Sequence, residues 1–119
     1  MKNQPSETLR AELQRRAWEL LGLERDAGGL ERLLEYLGRA RSAIGAAPAS
    51  RAGAALRNLA DVAWAMARSA LFREESRGSH SRADSPDSDD IRFHGHTLLD
   101  STGPRLVDLA VSLLSSARC

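Results

Sequence analysis

The sequence predicts an all-α fold, namely an antiparallel three-helix bundle followed by an irregular C-terminal arm and a short fourth helix. Leu and Ala supply most of the apolar residues and only 4% of the chain is aromatic, which favours closely packed helices. Apolar residues also recur at helical spacing in three successive segments. Because 119 residues suit one core, we expect a single domain, with the bundle over residues 1–76 and the arm over residues 77–119.

The first two helices are predicted from their caps, their stops and their apolar stripes. Ser6 can cap the first helix, and Gly22 offers a stop after it. Asp26 can cap the second helix, which Gly45 and Pro48 end. The first stripe consists of Leu9, Leu13, Ala17 and Leu20, and the second of Leu30, Leu33, Leu34, Leu37 and Ile44.

The third and longest helix is predicted to run from its cap, Ser50, to about Ser76. Two apolar seams lie side by side on it, which is typical of a helix that contacts neighbours on both sides. We therefore expect it to be the central helix of the bundle. The seams are Ala52, Leu56, Leu59, Ala63, Met66 and Ala70, and Ala60, Trp64, Ala67 and Leu71.

The rest of the chain carries weaker patterns. Residues 77–90 are rich in Ser, Asp, Gly and Arg, which predicts a loop or a disordered linker. The stretch from Ile91 to Leu99 alternates weakly and predicts a short extended piece. Pro104 can be the first residue of a last helix, whose apolar positions are Leu106, Leu109, Ala110, Leu113 and Leu114.

Composition and charge exclude several classes of protein. The 17 basic and 16 acidic residues give a net charge of +1, without the cationic excess that a nucleic-acid-binding face needs. No apolar run approaches the roughly 20 residues of a membrane span, and the polar N-terminus has no signal-peptide core. The lone Cys119 cannot form an intrachain disulfide, and we interpret it as a terminal thiol without a catalytic role. We therefore expect a cytoplasmic protein that binds neither nucleic acid nor a membrane.

A charged segment follows the third helix. Cations suit the negative end of a helix, and a glycine there can take a positive φ. The segment Glu75-Ser76-Arg77-Gly78-x-His80-x-Arg82-x-Asp84-x-Pro86 resembles the ESRGxHxRxDxP signature of the succinate dehydrogenase and fumarate reductase flavoprotein family, which includes the L-aspartate oxidases. In that family the signature lies in the helical C-terminal domain, at the end of its long helix. This chain places it in the same way.

The N-terminal half resembles the L-aspartate oxidase branch of that family. Leu13-Gln14-Arg15-Arg16-Ala17-Trp18 and Gly22-Leu23-Glu24-Arg25-Asp26-Ala27-Gly28-Gly29-Leu30 carry the Trp, the Gly-x-x-Arg-Asp and the Gly-Leu pair of that branch. Succinate dehydrogenases usually have Arg-Asp-Asp and a Trp before a His-Thr/Ser-Leu segment. This chain has Ser88-Asp89-Asp90 and Phe93 before His96-Thr97-Leu98. The resemblance favours L-aspartate oxidase, with the dehydrogenase or reductase domain as the alternative.

The resemblance implies a parent enzyme that uses FAD to oxidise L-aspartate to iminoaspartate, in the first step of NAD biosynthesis. This sequence has no strand-Gly-x-Gly-x-x-Gly-helix unit for the FAD pyrophosphate, and the family's substrate-binding and proton-transferring residues lie upstream. We therefore expect no catalytic, cofactor-binding or metal-binding residue here, and no FAD bound by the chain alone. The implied partners are the flavin-binding and substrate-capping domains of the same polypeptide. The residues predicted to have a structural or interdomain role are Glu75, Ser76, Arg77, Gly78, His80, Arg82, Asp84 and Pro86.

Other interpretations of the polar and aromatic residues are weaker. A zinc site and a Ser-His-Asp hydrolase triad both fail on spacing, because neither set follows a known pattern. Trp18 and Trp64 are predicted to be core or interface anchors rather than ligand stackers. A free-standing helical interaction module stays open as a function of another class. The zinc candidates are His80, Asp84, His94 and His96, and the triad candidates are Ser76 or Ser79 with His80 and Asp84.

Overall fold

A computed structural model of the protein describes residues 5–107 and contains three long helices, a short helix and a two-stranded sheet. The predicted three-helix bundle is confirmed, and a small β-hairpin is added to it. None of the helices in this range combines the length and the apolar character of a membrane span. The elements are α1 (Pro5–Leu20), α2 (Ala27–Ala46), α3 (Arg51–Phe72), α4 (Asp90–Phe93), β1 (His96–Asp100) and β2 (Gly103–Val107).

The core lies between the three long helices and is built from leucines and alanines. The leucines come mostly from α2, whereas α3 contributes mainly alanines, and these two helices pack against each other more extensively than either packs against α1. Alanine lets the helix backbones approach closely, and each buried leucine stabilises the fold by about 2–3 kcal/mol. The core residues with no exposed surface are Leu13, Leu30, Leu33, Leu37, Ala60 and Ala67.

Two of the three predicted caps are confirmed. The Asp26 carboxylate accepts a hydrogen bond from the Gly29 amide at 2.7 Å, and the Ser50 hydroxyl accepts one from the Gly53 amide at 2.9 Å. The prediction for Ser6 is wrong, because α1 already begins at Pro5 and Ser6 lies inside it. Proline is favoured at a first helical position, since its φ is preset and it has no N–H to satisfy.

Gly22 follows α1, as predicted, and the geometry explains why a glycine is needed there. A Cβ atom at this position would lie 2.5 Å from the Trp18 carbonyl oxygen, which is too close for any side chain. The chain therefore passes tightly over the last turn of α1, which ends at Leu20. This close turn leads the backbone to Asp26 and the start of α2.

Helix α3 ends at Phe72, four residues before the predicted end at Ser76. Arg73 has left the helix, with φ −90° and ψ 92°. The buried face of α3 includes members of both predicted seams. Ala52 and Met66, which belong to the first seam, are exposed. The buried residues of α3 are Leu56, Ala60, Ala63, Ala67 and Ala70.

The two tryptophans have different environments. Trp64 is half-buried against the core, with the guanidinium carbons of Arg41 and Arg68 at 4.8 and 4.9 Å from its ring centroid. Trp18 is 77% exposed and therefore does not belong to the core. An interface role for Trp18 stays a prediction.

The C-terminal arm differs from the prediction. The extended piece is found as β1, although Ile91 to Phe93 belong to α4. Pro104 does not begin a helix, because it lies in β2 opposite Leu99, and an antiparallel hairpin joins β1 to β2. A two-stranded ribbon tolerates proline, since its edge positions need no N–H donor. The predicted helical positions from Leu109 to Leu114, and Cys119, lie outside the described residues.

Candidate functional site

Arg82 is a buried charged side chain of the segment that follows α3, with 2% of its surface exposed. Its guanidinium donates hydrogen bonds to the Ala70 and Leu71 carbonyls at 2.9 and 3.1 Å. It also forms a two-pronged ion pair with Asp84, at 2.9 and 2.7 Å. The last carbonyls of a helix lack donors within the helix, and Arg82 donates hydrogen bonds to two of these carbonyls in α3. This contact explains why α3 ends before Ser76.

Glu75 is fully buried and connects three parts of the same segment. Its carboxylate accepts hydrogen bonds from the Arg73 side chain at 2.6 Å, from the Arg77 side chain at 3.1 Å and from the Asp89 amide at 2.7 Å. Burial raises the pKa of Glu75, but the hydrogen bonds from Arg77, Asp89 and Arg73 outweigh it and bring the pKa to about 2. Glu75 is therefore an ionised, buried anchor at neutral pH.

Residues 73–90, called the motif loop below, contain a tight turn that needs glycine. Arg77 and His80 exchange backbone hydrogen bonds at 2.8 and 2.9 Å, and Gly78 between them has φ +60°. Only glycine adopts this conformation without strain. The Ser76 hydroxyl donates to the Ser85 carbonyl at 2.8 Å and accepts from the Arg82 amide at 2.9 Å. The loop is therefore held by specific hydrogen bonds, although its composition resembles that of a linker.

The motif loop is joined to the segment between α1 and α2. The Arg25 amide donates to the Ser81 carbonyl at 2.8 Å, and the Ala83 amide donates to the Arg25 carbonyl at 2.7 Å. The Ala27 amide, at the start of α2, donates to Asp84 at 3.3 Å. Two of the stretches that carry the family resemblance, residues 22–30 and 75–86, therefore meet in one contact. We call this contact the junction.

His80 lies at the centre of the junction with both ring nitrogens occupied. Nδ1 lies 3.0 Å from an Arg25 guanidinium nitrogen, and Nε2 lies 3.0 Å from the Arg73 carbonyl oxygen. A guanidinium only donates and a carbonyl only accepts, so the proton must be on Nε2. Burial lowers the pKa of His80; the hydrogen bond to the Arg73 carbonyl opposes this, but the nearby charges of Arg25, Arg82 and Arg73 add to the effect of burial, and the pKa is lowered. The ring is therefore a neutral connector rather than a free base.

Arg73 connects the bundle to the C-terminal arm. Its guanidinium donates to the Thr97 hydroxyl at 2.8 Å and to the Gly95 carbonyl at 2.9 Å, besides its ion pair with Glu75. The ring of Phe93, which is buried, also packs edge-on against Phe72 with centroids 5.8 Å apart. Arg73 thus fixes the start of β1 beside the end of α3.

Known proteins resemble this chain in sequence and in fold. The family model described as fumarate reductase flavoprotein C-term matches residues 10–115. The chain belongs to this family. The fumarate reductase flavoprotein subunit of Mycobacterium tuberculosis, from two strains, is 52% identical over 44 residues, which are 37% of this chain and 8% of that protein. An L-aspartate oxidase of Synechocystis is 49% identical over 45 residues, 38% of this chain and 8% of that protein.

A solved structure supports the fold of this family member. A variant of E. coli quinol fumarate reductase superposes with a TM-score of 0.71 at 24% sequence identity, covering 90% of this chain and 21% of that chain. At that identity the likeness concerns the fold. The matched stretches are a small share of the relatives, 8% of the curated proteins and 21% of the solved chain.

Most of the residues predicted to have a structural or interdomain role in this flavoprotein C-terminal domain are connected by the hydrogen bonds of the motif loop and the junction. Pro86 is the exception, since it is exposed at the outer side of the motif loop. Two other residues in these hydrogen bonds, Arg25 and Arg73, are not on the predicted list. Arg25 belongs to the Gly-x-x-Arg-Asp stretch quoted above. The signal for Arg73 in the sequence is its position near the end of the predicted third helix. The residues that the structure brings together are Glu75, Ser76, Arg77, Gly78, His80, Arg82 and Asp84.

The weaker interpretations find no geometric support in the part of the chain that the structure describes. His94 and His96 are exposed, and residues 5–107 contain no group of three metal-ligating side chains. Ser76 and His80 are each engaged with backbone groups, as described above, rather than with each other. Because the motif loop's cations donate to the chain's own carboxylates and carbonyls, they also do not fit a site for the FAD pyrophosphate.

Proposed function

We propose that this chain is the C-terminal helical domain of an FAD-dependent L-aspartate oxidase, which packs on the flavin-binding and substrate-capping domains of the same polypeptide. The observation that supports this proposal is the junction, in which the stretch resembling L-aspartate oxidases binds the stretch that carries the family signature. The enzyme would act in the cytoplasm, in the first step of NAD biosynthesis.

The proposed role of the chain is positional. FAD supplies the two-electron acceptor when it is bound by the parent enzyme, and L-aspartate loses two electrons and two protons to become iminoaspartate. The side chains of His80, Arg82 and Glu75 bind partners within the chain, so they suit a rigid support better than a reaction centre. We propose that Glu75, Ser76, Arg77, Gly78, His80, Arg82, Asp84 and Pro86 fix the motif loop and that the bundle over residues 1–76 and the arm over residues 77–119 form one domain.

The test uses the native flavoprotein that contains this chain. Anaerobic addition of L-aspartate is expected to bleach the flavin absorption, and admission of oxygen is expected to restore it with formation of peroxide. The same chain alone, mixed with FAD and L-aspartate, is expected to give neither signal. Bleaching by the chain alone would contradict the positional role.

A second candidate is the equivalent domain of a fumarate reductase or succinate dehydrogenase flavoprotein. The 52% identity to the Mycobacterium tuberculosis fumarate reductase flavoprotein subunit favours it. In that case succinate, and not L-aspartate, reduces the flavin in the same anaerobic experiment. A free-standing helical module is the third outcome, and the native gene would then encode no flavin-binding domain.

A further inference from the structure

An apolar groove runs between α1 and α3, and three of its lining side chains are large, apolar and exposed. Trp18 is 77% exposed, Val62 57% and Met66 46%, and the groove they line has a volume of about 420 Å³. A contiguous apolar surface of this kind marks an interaction site more often than a set of scattered exposed residues does. The groove is therefore a candidate for contact with another body.

A notch of about 250 Å³ that contains Arg25 lies beside the groove and shares Met66 with it. The notch is lined by Arg25, His80 and Arg73, together with the side chains of Ser69 and Thr97. Arg73 is neutralised by Glu75. The groove and the notch thus form one continuous surface, which is apolar except at Arg25 and the polar groups around it.

Arg25 is the cation of the notch that has no acidic partner among the described residues. Its guanidinium donates to the Gly22 carbonyl at 3.2 Å and to His80, and none of the ion pairs within residues 5–107 includes it. Burial lowers the pKa of Arg25. Its sequence neighbours Glu24 and Asp26 form no ion pair with it within residues 5–107, and Asp26 and Asp84 bind the Gly29 amide and Arg82 instead. A half-buried cation without an acidic partner is costly, so the binding of a carboxylate to it is favourable.

We propose that the groove and the notch form one docking surface, on which an apolar segment of the parent flavoprotein covers Trp18, Val62 and Met66 while a carboxylate of that segment binds Arg25. This inference rests on the proposed function, because the occupant is the rest of the same polypeptide. Two observations support this occupant. The chain covers 21% of the solved relative, which leaves a much larger body to be packed against. A second copy would instead bring another Arg25 without an acidic partner to the same surface.

Hydroxyl-radical footprinting tests the groove, because it reads the solvent access of Trp and Met side chains. Oxidation of Trp18 and Met66 is expected to be about fivefold slower or more in the native flavoprotein than in the chain alone, as for residues in an interface core. Leu23 and Ile91 are matched controls outside the groove, 86% and 97% exposed, and their rates are expected to stay unchanged. The flavin absorption of the same sample reports separately on the proposed function.

Three results would overturn the inference in distinguishable ways. Unprotected Trp18 and Met66 in a flavoprotein that oxidises its substrate would leave the proposed function intact and remove the docking surface. Protection that appears in the chain alone as its concentration rises would identify a second copy as the occupant. A native protein without flavin would contradict the proposed function itself.

The charged half of the proposal is tested by Arg25→Gln in the native flavoprotein. The variant is expected to raise Trp18 and Met66 oxidation towards the rate in the chain alone, whereas the exposed control Arg57→Gln is expected to change neither. Because Arg25 also binds Gly22 and His80, the thermal midpoint of each variant chain is measured alongside. A folded Arg25→Gln variant with full protection would disprove the carboxylate contact. Asp108→Asn, in the segment outside the described residues, must leave the protection unchanged, since a loss would make Asp108 the partner.

Discussion

The bundle and the motif loop are held together by different forces, although they pack against each other. The bundle, residues 5–72, buries leucines and alanines and keeps its charges at the surface. The motif loop, residues 73–90, buries Glu75 and Arg82 and contributes no large apolar side chain to the core. An apolar core tolerates substitutions that keep its volume, whereas a buried charge depends on every one of its partners.

This difference shows how a short polar segment can have one structure without a core of its own. Arg82 supplies donors to the end of α3, and Glu75 supplies acceptors to the loop itself. Each group would be costly to bury alone, so the loop is stable only when all of the partners are in place. We therefore expect single substitutions in the loop to have effects as large as those in the core.

The largest effect is expected for Arg82→Ala. This change leaves the Ala70 and Leu71 carbonyls and the Asp84 carboxylate without their donor. Each carbonyl left without a donor costs about 1–3 kcal/mol, whereas the Asp84 side chain is 38% exposed and can be hydrated by water. Urea denaturation of the chain, followed by circular dichroism, measures the free energy of unfolding.

Two variants separate this effect from a general loss of positive charge. Arg82→Lys keeps the charge but cannot form the two-pronged contact with Asp84, so it is expected to recover only part of the loss. Arg92→Ala removes an exposed arginine that pairs with Asp89 and Glu74, and is expected to cost under about 1 kcal/mol. Equal effects of Arg82→Ala and Arg92→Ala would contradict the contrast between loop and surface.

A core substitution in the bundle is expected to cost less or about as much. Leu37 is fully buried in α2, and Leu37→Ala removes its contacts and leaves a cavity, at about 2–5 kcal/mol. Leu23→Ala, at an 86% exposed position, is expected to stay within about 0.5 kcal/mol of the wild type. Amide hydrogen exchange tests whether the bundle opens as one unit. In that case Leu37→Ala is expected to increase exchange across all three helices. Loss of protection confined to α2 would show that the bundle is not one cooperative unit.

The bundle could be predicted from the sequence because its signals are local. The stripe that includes Leu30, Leu33 and Leu37 needs only helical periodicity to be recognised, and the caps Asp26 and Ser50 stand directly before their helices. The prediction for Ser6 failed at a helix start, where proline competes with a capping residue. The predicted end of α3 was wrong for another reason. Arg82, ten residues beyond the last residue of the helix, binds the carbonyls of its last turn.

The motif loop and the hairpin could not be predicted from composition, because their partners are distant in sequence. Arg25 contacts His80 across 55 residues, and Arg73 contacts Thr97 across 24. Periodicity carries no information about such pairs. The helix expected from Pro104 failed because pairing with β1 outweighs the local preference of proline for a helix start. Most residues of the family signature take part in the hydrogen bonds of the motif loop, although the signature did not indicate which partners they have.

The last and smallest effect is the dependence of stability on pH through Glu75. Its pKa is about 2 in the fold against a usual 4.5, so its contribution is complete above pH 4.5 and is lost as the pH falls towards 2. Glu75→Gln is expected to cost about 2 kcal/mol at pH 7, since it weakens hydrogen bonds to charged groups, and to flatten the acid side of the stability curve. Asp84, whose pKa is also lowered to about 2 by Arg82, titrates in the same range in both proteins. The difference between the two urea-denaturation curves from pH 5 to pH 2 therefore isolates Glu75, and a constant difference would show that its carboxylate is not the ionised anchor of the loop.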